Sequence, residues 1–356
     1  MILVHICCSV DSHYFLQRLQ EDYPDEKLVG FFYDPNIHPY SEYRLRYLDV
    51  EYSCKKLGIE LLEGEYALEE WLALVKGLEN EPEKGDRCTV CFDNRLEVSV
   101  KKAMQLGADK FTTTLLISPK KSQDKLDKIG NELSQKYGLQ FIFKDYRSGR
   151  GVEFQGQEVK KNSLYRQNYC GCMFALNAQR DTQEKLADEL ISPVNSQVLP
   201  ESIEERLDLY RYRNDHPDCE IIKQRFLNYR LLNAKTVIEK KTVPSYFLCY
   251  STLKNKRTKT KVEKTINNIG YTNRDEVKVL DIGHFNSLCG TDYKDIMQLA
   301  YDPLKFEDEL ALRAKITNNS SYDLSCVIVL DEISDKNMEI TCNAKVYDDV
   351  REAVVK

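Results

Sequence analysis

Six of the chain's 12 cysteines lie in three close pairs, and thiols at such spacing can bind metal. The pairs, all before residue 173, are Cys7 with Cys8, Cys88 with Cys91, and Cys170 with Cys172. Thiolates this close can converge on one metal ion or one iron–sulfur cluster. Because six thiolates exceed the four ligands of one such centre, the pattern favours two centres. The ligand types alone favour zinc over iron–sulfur.

The neighbours of each pair suit metal binding. Cys88 and Cys91 precede an amphipathic stretch, Arg95–Leu106, and a helix N-terminus favours thiolate over thiol. Gly171 permits the sharp backbone path that brings Cys170 and Cys172 together. We expect Cys7 and Cys8 to lie in a turn at the end of a first strand, followed by a turn at 9–12 that leads into the first helix.

The other six cysteines stand alone among apolar or loop residues, and we expect them to pack as small buried side chains. They are Cys54, Cys219, Cys249, Cys289, Cys326 and Cys342. The chain begins with a short apolar run that lacks a basic region, which argues against a secretion signal. No segment has the apolar length of a membrane span. We therefore expect a cytoplasmic protein without a membrane partner, in which paired cysteines bind metal more often than they form disulfides.

Strand and helix patterns alternate over the first 180 or so residues. The predicted strands are Ile2–Ile6, Leu28–Tyr33, Ile59–Leu62, Lys110–Ile117 and Leu139–Lys144; the predicted helices are His13–Glu21, Tyr40–Leu57, Trp71–Leu78, Arg95–Leu106, Ser122–Tyr137 and Asn177–Leu190. Such alternation predicts an α/β fold, a Rossmann-like parallel sheet with helices on both faces. Sites in this class lie at the carboxyl ends of strands, where Cys7, Cys8 and Asp34 fall.

Beyond residue 190 the pattern changes. We predict a linker at 192–196 between two domains, 1–190 and 197–356, the second an α+β extension to which the sequence assigns no role. Its elements are a helical stretch, Ile203–Asn233, and strands at Ser245–Tyr250, Val277–Ile282 and Ser325–Leu330. The basic segment Lys254–Lys261 is either a solvated hairpin loop or a loop that contacts phosphates.

Five motifs occur in an order typical of one family. They are His5-Ile-Cys-Cys8, Tyr33-Asp-Pro-Asn-Ile-His-Pro39, Gly85-Asp-Arg-Cys-Thr-Val-Cys91, Thr112-Thr-Thr-Leu115 with Ser118-Pro119, and Leu164-Tyr-Arg-Gln-Asn-Tyr-Cys-Gly-Cys172. Over about residues 1 to 178, this series resembles the QueH family, the cobalamin-independent epoxyqueuosine reductases of tRNA queuosine synthesis.

The resemblance implies an oxidoreductase that converts epoxyqueuosine to queuosine at the wobble nucleotide of tRNA. It implies a [4Fe-4S] cluster with a second, mononuclear iron close by, held by the six paired cysteines. We expect an external electron donor of the ferredoxin or flavodoxin type. Two alternatives stay open: a PP-loop-like, ATP-dependent iron–sulfur tRNA thiolase of related (HUP) fold, and a zinc-stabilised RNA-binding module without enzymatic activity.

Asp11 occupies a position where some members of that family carry a third cysteine. A carboxylate is a hard ligand that suits a Lewis-acidic iron. Alternatively, Asp11 only caps the following helix. We predict that it ligates the second iron.

Other candidates lie around the motifs. The candidate proton donors are Tyr33, Asp34 and His38, with Tyr165 or Tyr169 near the last cysteine pair. A base displaced from the anticodon loop requires stacking and cationic contacts. The candidate substrate-binding residues are Arg87, Lys120, Lys121, Arg166 and Gln167. The net charge of -6 means that any face that binds RNA must be local.

Overall fold

The computed structural model describes residues 1–191, 197–216, 218–274, 277–320 and 323–355. The predicted linker at 192–196 lies outside the described residues. The chain forms two compact units. The first comprises Met1–Leu190, Arg206–Ile221 and Val354–Lys356, and the second comprises Ile191–Glu205 and Ile222–Ala353. The domains drawn from the sequence, 1–190 and 197–356, stay a prediction.

The first unit is built on a sheet of five parallel strands in the order β3-β2-β1-β4-β5. They are β1 (Ile2–Ile6), β2 (Leu28–Phe32), β3 (Glu60–Glu63), β4 (Lys110–Thr113) and β5 (Gln140–Phe141). Strand β1 is central, with Ile2 opposite both Leu28 and Lys110. Every residue of β1 and β2 is buried, which explains their continuous apolar runs. The predicted α/β sheet is confirmed.

In the described ranges, most of helix α8 (Ile203–Asp215) belongs to this unit, and seven further helices accompany the sheet. They are α1 (Ser9–Asp22), α2 (Tyr40–Leu57), α3 (Leu68–Leu74), α4 (Asp86–Gln105), α5 (Gln123–Tyr137), α6 (Gly151–Lys161) and α7 (Met173–Thr182). Helix α1 packs on α2, and α4 packs on α5. Because right-handed crossovers lead away from β1 in both directions, these two helix pairs cover opposite faces. The strand order reverses between β1 and β4, and crevices form at such a point.

Several predicted boundaries are wrong. The expected turn at 9–12 is the first turn of α1, and the Cys88–Cys91 motif lies inside α4 instead of before a helix at Arg95. The strand predicted for Lys110–Ile117 becomes a 3₁₀ turn after Thr113. Helix α6 was not predicted, and α7 begins earlier than Asn177. Each error falls where the chain builds the site described below, so local preference was overridden by tertiary contacts.

The remaining elements mix strands and helices, which confirms the α+β extension. They are α8 (Ile203–Asp215), β6 (Glu220–Ile238), β7 (Lys241–Val243), β8 (Tyr246–Phe247), β9 (Arg257–Thr260), β10 (Val262–Ile266), β11 (Ile269–Thr272), β12 (Lys278–Asp281), α9 (Ile282–Cys289), α10 (Ile296–Tyr301), α11 (Phe306–Ile316), β13 (Val327–Leu330) and β14 (Met338–Val355). Two sheets result, β10-β11-β12-β13-β8 and β7-β6-β14-β9. None of the helices in the described ranges has both the length and the apolar character needed to cross a bilayer.

Two sequence expectations for this half need correction. The helix predicted over Ile203–Asn233 ends at Asp215, and β6 follows, because β-branched residues such as Ile221 and Ile222 favour an extended chain. The basic segment Lys254–Lys261 is not all loop, since it contains β9, which pairs with β14.

Candidate metal centre

A cavity of about 240 Å³ lies in the first unit, beyond the carboxyl ends of β1 and β4. Five of the six paired cysteines line it: Cys7, Cys88, Cys91, Cys170 and Cys172. The sixth, Cys8, is buried, with its sulfur 3.8 Å from that of Cys7. Pairs that are far apart in sequence therefore converge on one space. Among the described residues, all 12 cysteines are free thiols.

The start of α1 brings together three potential metal ligands. Strand β1 ends at Ile6, Cys8 takes the N-cap position, and Asp11 lies in the first turn. The ligand atoms of Cys7, Cys8 and Asp11 all lie within 4.8 Å of one another, and all three residues are buried. The positive end of α1 stabilises negative charge there. Asp11 accepts a hydrogen bond from Gln155 Nε2 at 3.0 Å.

Burial and hydrogen bonding favour the protonated forms of two of these ligands, Cys8 and Asp11. A hydrogen bond with Cys7, together with burial, raises the pKa of Cys8. Burial also raises the pKa of Asp11, opposed by the charge of Lys121 and by the bond from Gln155. A bound cation must displace these protons, so its affinity rises with pH.

The second pair lies on the first two turns of α4. Gly85 takes the N-cap position, and Cys88 and Cys91, three residues apart, share one face of the helix. The backbone N–H of Lys84 lies 3.2 Å from Cys88 Sγ. Burial raises the pKa of Cys91. The helix therefore presents both sulfurs to the cavity at its positive end.

An ion pair inside the protein fixes the third pair. Buried Arg46 donates to the carbonyl oxygens of Tyr169 at 3.0 Å and Cys170 at 3.2 Å, while its Nε contacts Glu42 at 2.7 Å. Gly171 has φ +102°, and a Cβ there would come within 2.8 Å of a neighbouring side chain. Sequence reasoning missed Arg46 and Glu42, because acid and base four residues apart on a helix are usually a surface pair.

The two thiols of this pair differ in acidity. A hydrogen bond from the Cys172 thiol, helped by the charge of Lys121, lowers the pKa of Cys170 to about 5. The same bond raises the pKa of Cys172. Cys170 is therefore the thiolate of the pair, ready to bind a cation.

Two cations inside the cavity offset the negative sulfurs. Arg95 is only 4% exposed and forms an ion pair with Asp34. Lys121, with 13% of its side chain exposed, lies 3.6 Å from Glu83. Both line the cavity. Sequence reasoning missed Arg95. It assigned Lys121 to backbone phosphates, a role that stays a prediction; in the structure Lys121 lines the same cavity as the thiols.

Four of the five predicted proton donors do not line the cavity, whereas the fifth, Tyr169, does. Tyr33 packs against a neighbouring ring, and the Tyr165 hydroxyl donates to a carboxylate 2.9 Å away. Burial raises the pKa of Asp34 to about 6, opposed by its pairing with an arginine. His38 is half-buried, and its Nδ1 has no hydrogen-bond partner among the described residues. Their catalytic roles stay predictions.

The predicted substrate-binding residues all line the cavity. Lys120 and Arg166 are exposed, whereas Gln167 is half-buried and its Oε1 has no partner in the described ranges. Arg87 is buried, and its Nη1 donates to three carbonyl oxygens of the preceding loop at 2.6–3.0 Å. Arg87 therefore shapes the wall, and Lys120, Arg166 and Gln167 have groups left for a ligand.

An unpaired indole N–H tests whether these residues suit a sulfur-rich metal group. Trp71 is 1% exposed, lines the cavity, and packs in one apolar cluster with Cys91 and Cys172. Its Nε1 has no well-formed hydrogen bond among the described residues, and the side chain placed to accept one is Cys91, whose pKa the indole lowers. Buried donors are nearly always paired, so an acceptor belongs there. Cluster and thiolate sulfurs accept such bonds, so the residues fit an iron–sulfur group.

The part of the chain that forms the cavity also matches known proteins. The family model described as "Epoxyqueuosine reductase QueH" matches residues 2–178. A protein of that name from Helicobacter pylori is 41% identical over 359 residues, covering 95% of each chain. One from Streptococcus pyogenes is 36% identical, covering 50% of this chain and 71% of its own. One from Thermotoga maritima is 33% identical, covering 52% of this chain and 95% of its own.

The solved structure of the U34-tRNA thiolase NcsA from Methanococcus maripaludis with its [4Fe-4S] cluster is a weaker match. It has a TM-score of 0.33 and 14% identity, and the match covers 61% of this chain and 73% of that one. This likeness is too low to bear on function.

Proposed function

The chain belongs to the QueH family of epoxyqueuosine reductases, and on that premise we propose that it converts epoxyqueuosine to queuosine at the wobble nucleotide of tRNA. The reaction consumes two electrons and two protons, breaks the C–O bonds of the epoxide, and releases the oxygen as water. The convergence of the three cysteine pairs on one cavity carries the proposal.

The cysteines divide into two sets by position. Cys88, Cys91, Cys170 and Cys172 would hold a [4Fe-4S] cluster, which takes four thiolates. Cys7, Cys8 and Asp11, whose ligand atoms lie within 4.8 Å of one another, would hold a second iron. When bound, the cluster supplies single electrons from a ferredoxin- or flavodoxin-type donor, and the second iron supplies a Lewis acid.

The chain's own residues supply charge balance and a fixed geometry. Arg95 and Lys121 place positive charge beside the sulfurs, which favours thiolate over thiol. Arg46 fixes the loop that carries Cys170. Trp71 and Phe92 are buried in the wall and exclude water from it.

Three residues have groups left to bind the nucleotide. Exposed Lys120 and Arg166 can bind backbone phosphates of the anticodon loop. The unpaired Oε1 of Gln167 can accept a hydrogen bond from the displaced base. In this role Gln167 determines specificity for the base, and Lys120 and Arg166 position the RNA.

Mass spectrometry of tRNA from cells that lack this gene tests the function. We expect epoxyqueuosine to accumulate and queuosine to disappear, and the intact gene to restore queuosine. Normal queuosine in the deletion strain, in a host without a second reductase, would refute the proposal. The Cys91→Ala variant should fail to restore queuosine, because it removes a cluster ligand.

A further inference from the structure

Positive charge is concentrated on one segment of the second unit. Six cations and one acid lie between residues 254 and 264, although the whole chain carries a net charge of -6. We call the six the basic strip: Lys254, Lys256, Arg257, Lys259, Lys261 and Lys264. All six are exposed. Exposed like charges repel one another, so a strip of this kind suits an anionic partner.

Strand geometry points part of the strip outward. In β9 the side chains alternate, so Arg257 and Lys259 share one face, and Thr260 on the other face is buried. Lys259 lies opposite Glu339 of β14, and that single carboxylate serves both cations, with Lys259 Nζ 3.6 Å away. One acid for two cations leaves this face positive.

The other four lysines form no ion pair within the described ranges. Two of them, Lys254 and Lys264, border an open groove of about 1020 Å³, whose wall includes Tyr271. An aromatic ring beside cations suits nucleic acid, because bases stack on the ring while phosphates meet the charges. The wall also contains two acids: Asp323 is already paired with Lys278 at 3.0 Å, and exposed Glu263 is the one acid set against the six cations of the segment.

Protection of sheet edges explains only part of this pattern. Strands β9 and β10 both lie at sheet edges, where lysine discourages pairing with other chains. However, Lys254 and Lys256 precede β9, and Lys261 stands between the two strands. Half of the strip therefore lies outside any edge strand.

The comparisons indicate that this half of the chain is an addition to the common catalytic part. The family model ends at residue 178, and the relative from Thermotoga maritima matches 52% of this chain over 95% of its own length. We propose that the basic strip binds the phosphate backbone of RNA. The RNA is the tRNA substrate, a point that rests on the proposed function.

Binding of labelled total tRNA to the full-length protein at several salt concentrations tests this inference. The strip variant carries Lys→Gln at Lys254, Lys256, Lys261 and Lys264. The control carries the same change at four exposed lysines elsewhere in the second unit: Lys223, Lys294, Lys305 and Lys315. We expect the strip variant to bind about tenfold more weakly and to lose about one unit of salt slope per lysine in contact. The control should bind within about twofold of the unmodified protein.

Three results would overturn the inference. The strip variant could keep the affinity and the salt slope of the unmodified protein, which would mean that the strip does not contact tRNA. The control could weaken binding as much as the strip variant, which would mean that total charge decides the affinity. The strip variant could also aggregate while its soluble fraction binds tRNA normally, which would assign the lysines to edge protection. If the unmodified protein binds no tRNA, the proposed function itself fails.

Discussion

At the scale of single residues, the cavity contains buried polar groups that either lack a hydrogen bond or lie close to other potential metal ligands. Trp71 Nε1 is buried with no well-formed hydrogen bond among the described residues, and Asp11 lies close to two thiols. Spacing in the chain predicted the thiols as ligands, and the resemblance to the QueH family led to the prediction for Asp11. Trp71, Arg46 and Arg95 were not predicted as site residues, since a lone tryptophan or a helical arginine carries no local signal of its surroundings.

Replacing Trp71 with phenylalanine removes the N–H and keeps a ring. We expect the Trp71→Phe variant to retain its iron and its colour but to have a more negative midpoint potential, because a hydrogen bond to sulfur stabilises the reduced cluster. A spectroelectrochemical titration measures the shift. Phe174→Leu is the control, since Phe174 packs beside Trp71 without an N–H donor. Equal potentials in both variants would show that Trp71 makes no such bond.

Asp11 distinguishes the two proposed metal centres. The Asp11→Ala variant should keep the sulfide and the colour of the cluster but lose the second iron and the activity, because only the cysteines remain as ligands there. Metal and sulfide analysis of protein isolated without oxygen measures this. Asp86→Ala, which removes another acid from the first turn of a helix, should change neither. Unchanged iron in an active Asp11→Ala variant would remove Asp11 from the ligand set.

At the scale of elements, backbone shape decides where the sulfurs lie. The alternating pattern predicted the five strands and the bounds of α2; the signal was clearest for β1 and β2, which are buried throughout. It misplaced the start of α1, whose N-cap is Cys8, and of α4, whose first two turns contain Cys88 and Cys91. It also missed α6, whose Gly156 and scattered polar residues lower the helical signal.

Gly171 tests the shape of the last cysteine loop. An alanine there would combine a positive φ with a contact of 2.8 Å, so Gly171→Ala should lose about 1–3 kcal/mol of stability and most of the cluster. Gly58→Ala is the matched control: its φ is +66°, but nothing lies within 4 Å of the new Cβ. We expect Gly58→Ala to be less stable than the original protein but fully coloured. Denaturant unfolding and visible absorbance measure both, and a fully coloured Gly171→Ala protein would contradict this account.

At the scale of the whole molecule, the first unit takes in a segment from far along the chain. Arg213 is 2% exposed and lies 2.8 Å from Asp49, which is fully buried. Asp49 also accepts a bond from the Tyr165 N–H at 2.9 Å and contacts Ser9 beside Cys8. A helix so distant in sequence could not be assigned to this unit from local patterns, because nothing local marks a long-range ion pair.

Removal of Arg213 should therefore weaken the first unit. We expect Arg213→Met to lower the free energy of unfolding by about 3–5 kcal/mol, because it leaves Asp49 buried without its cation. Arg211→Met is the control, since Arg211 is exposed and its ion-pair partner within the described ranges is Asp208, at 3.0 Å. This change should cost less than about 1 kcal/mol. Equal unfolding midpoints in denaturant would show that the buried pair does not stabilise the fold.

The central claim is that the three cysteine pairs and Asp11 hold an iron–sulfur cluster beside a second iron. Iron, sulfide and zinc analysis of the full-length protein, isolated without oxygen, tests it most directly. We expect about five iron atoms and about four sulfide ions per chain, from one [4Fe-4S] cluster and one second iron, with little zinc. A colourless protein that contains one or two zinc ions and no sulfide would contradict it.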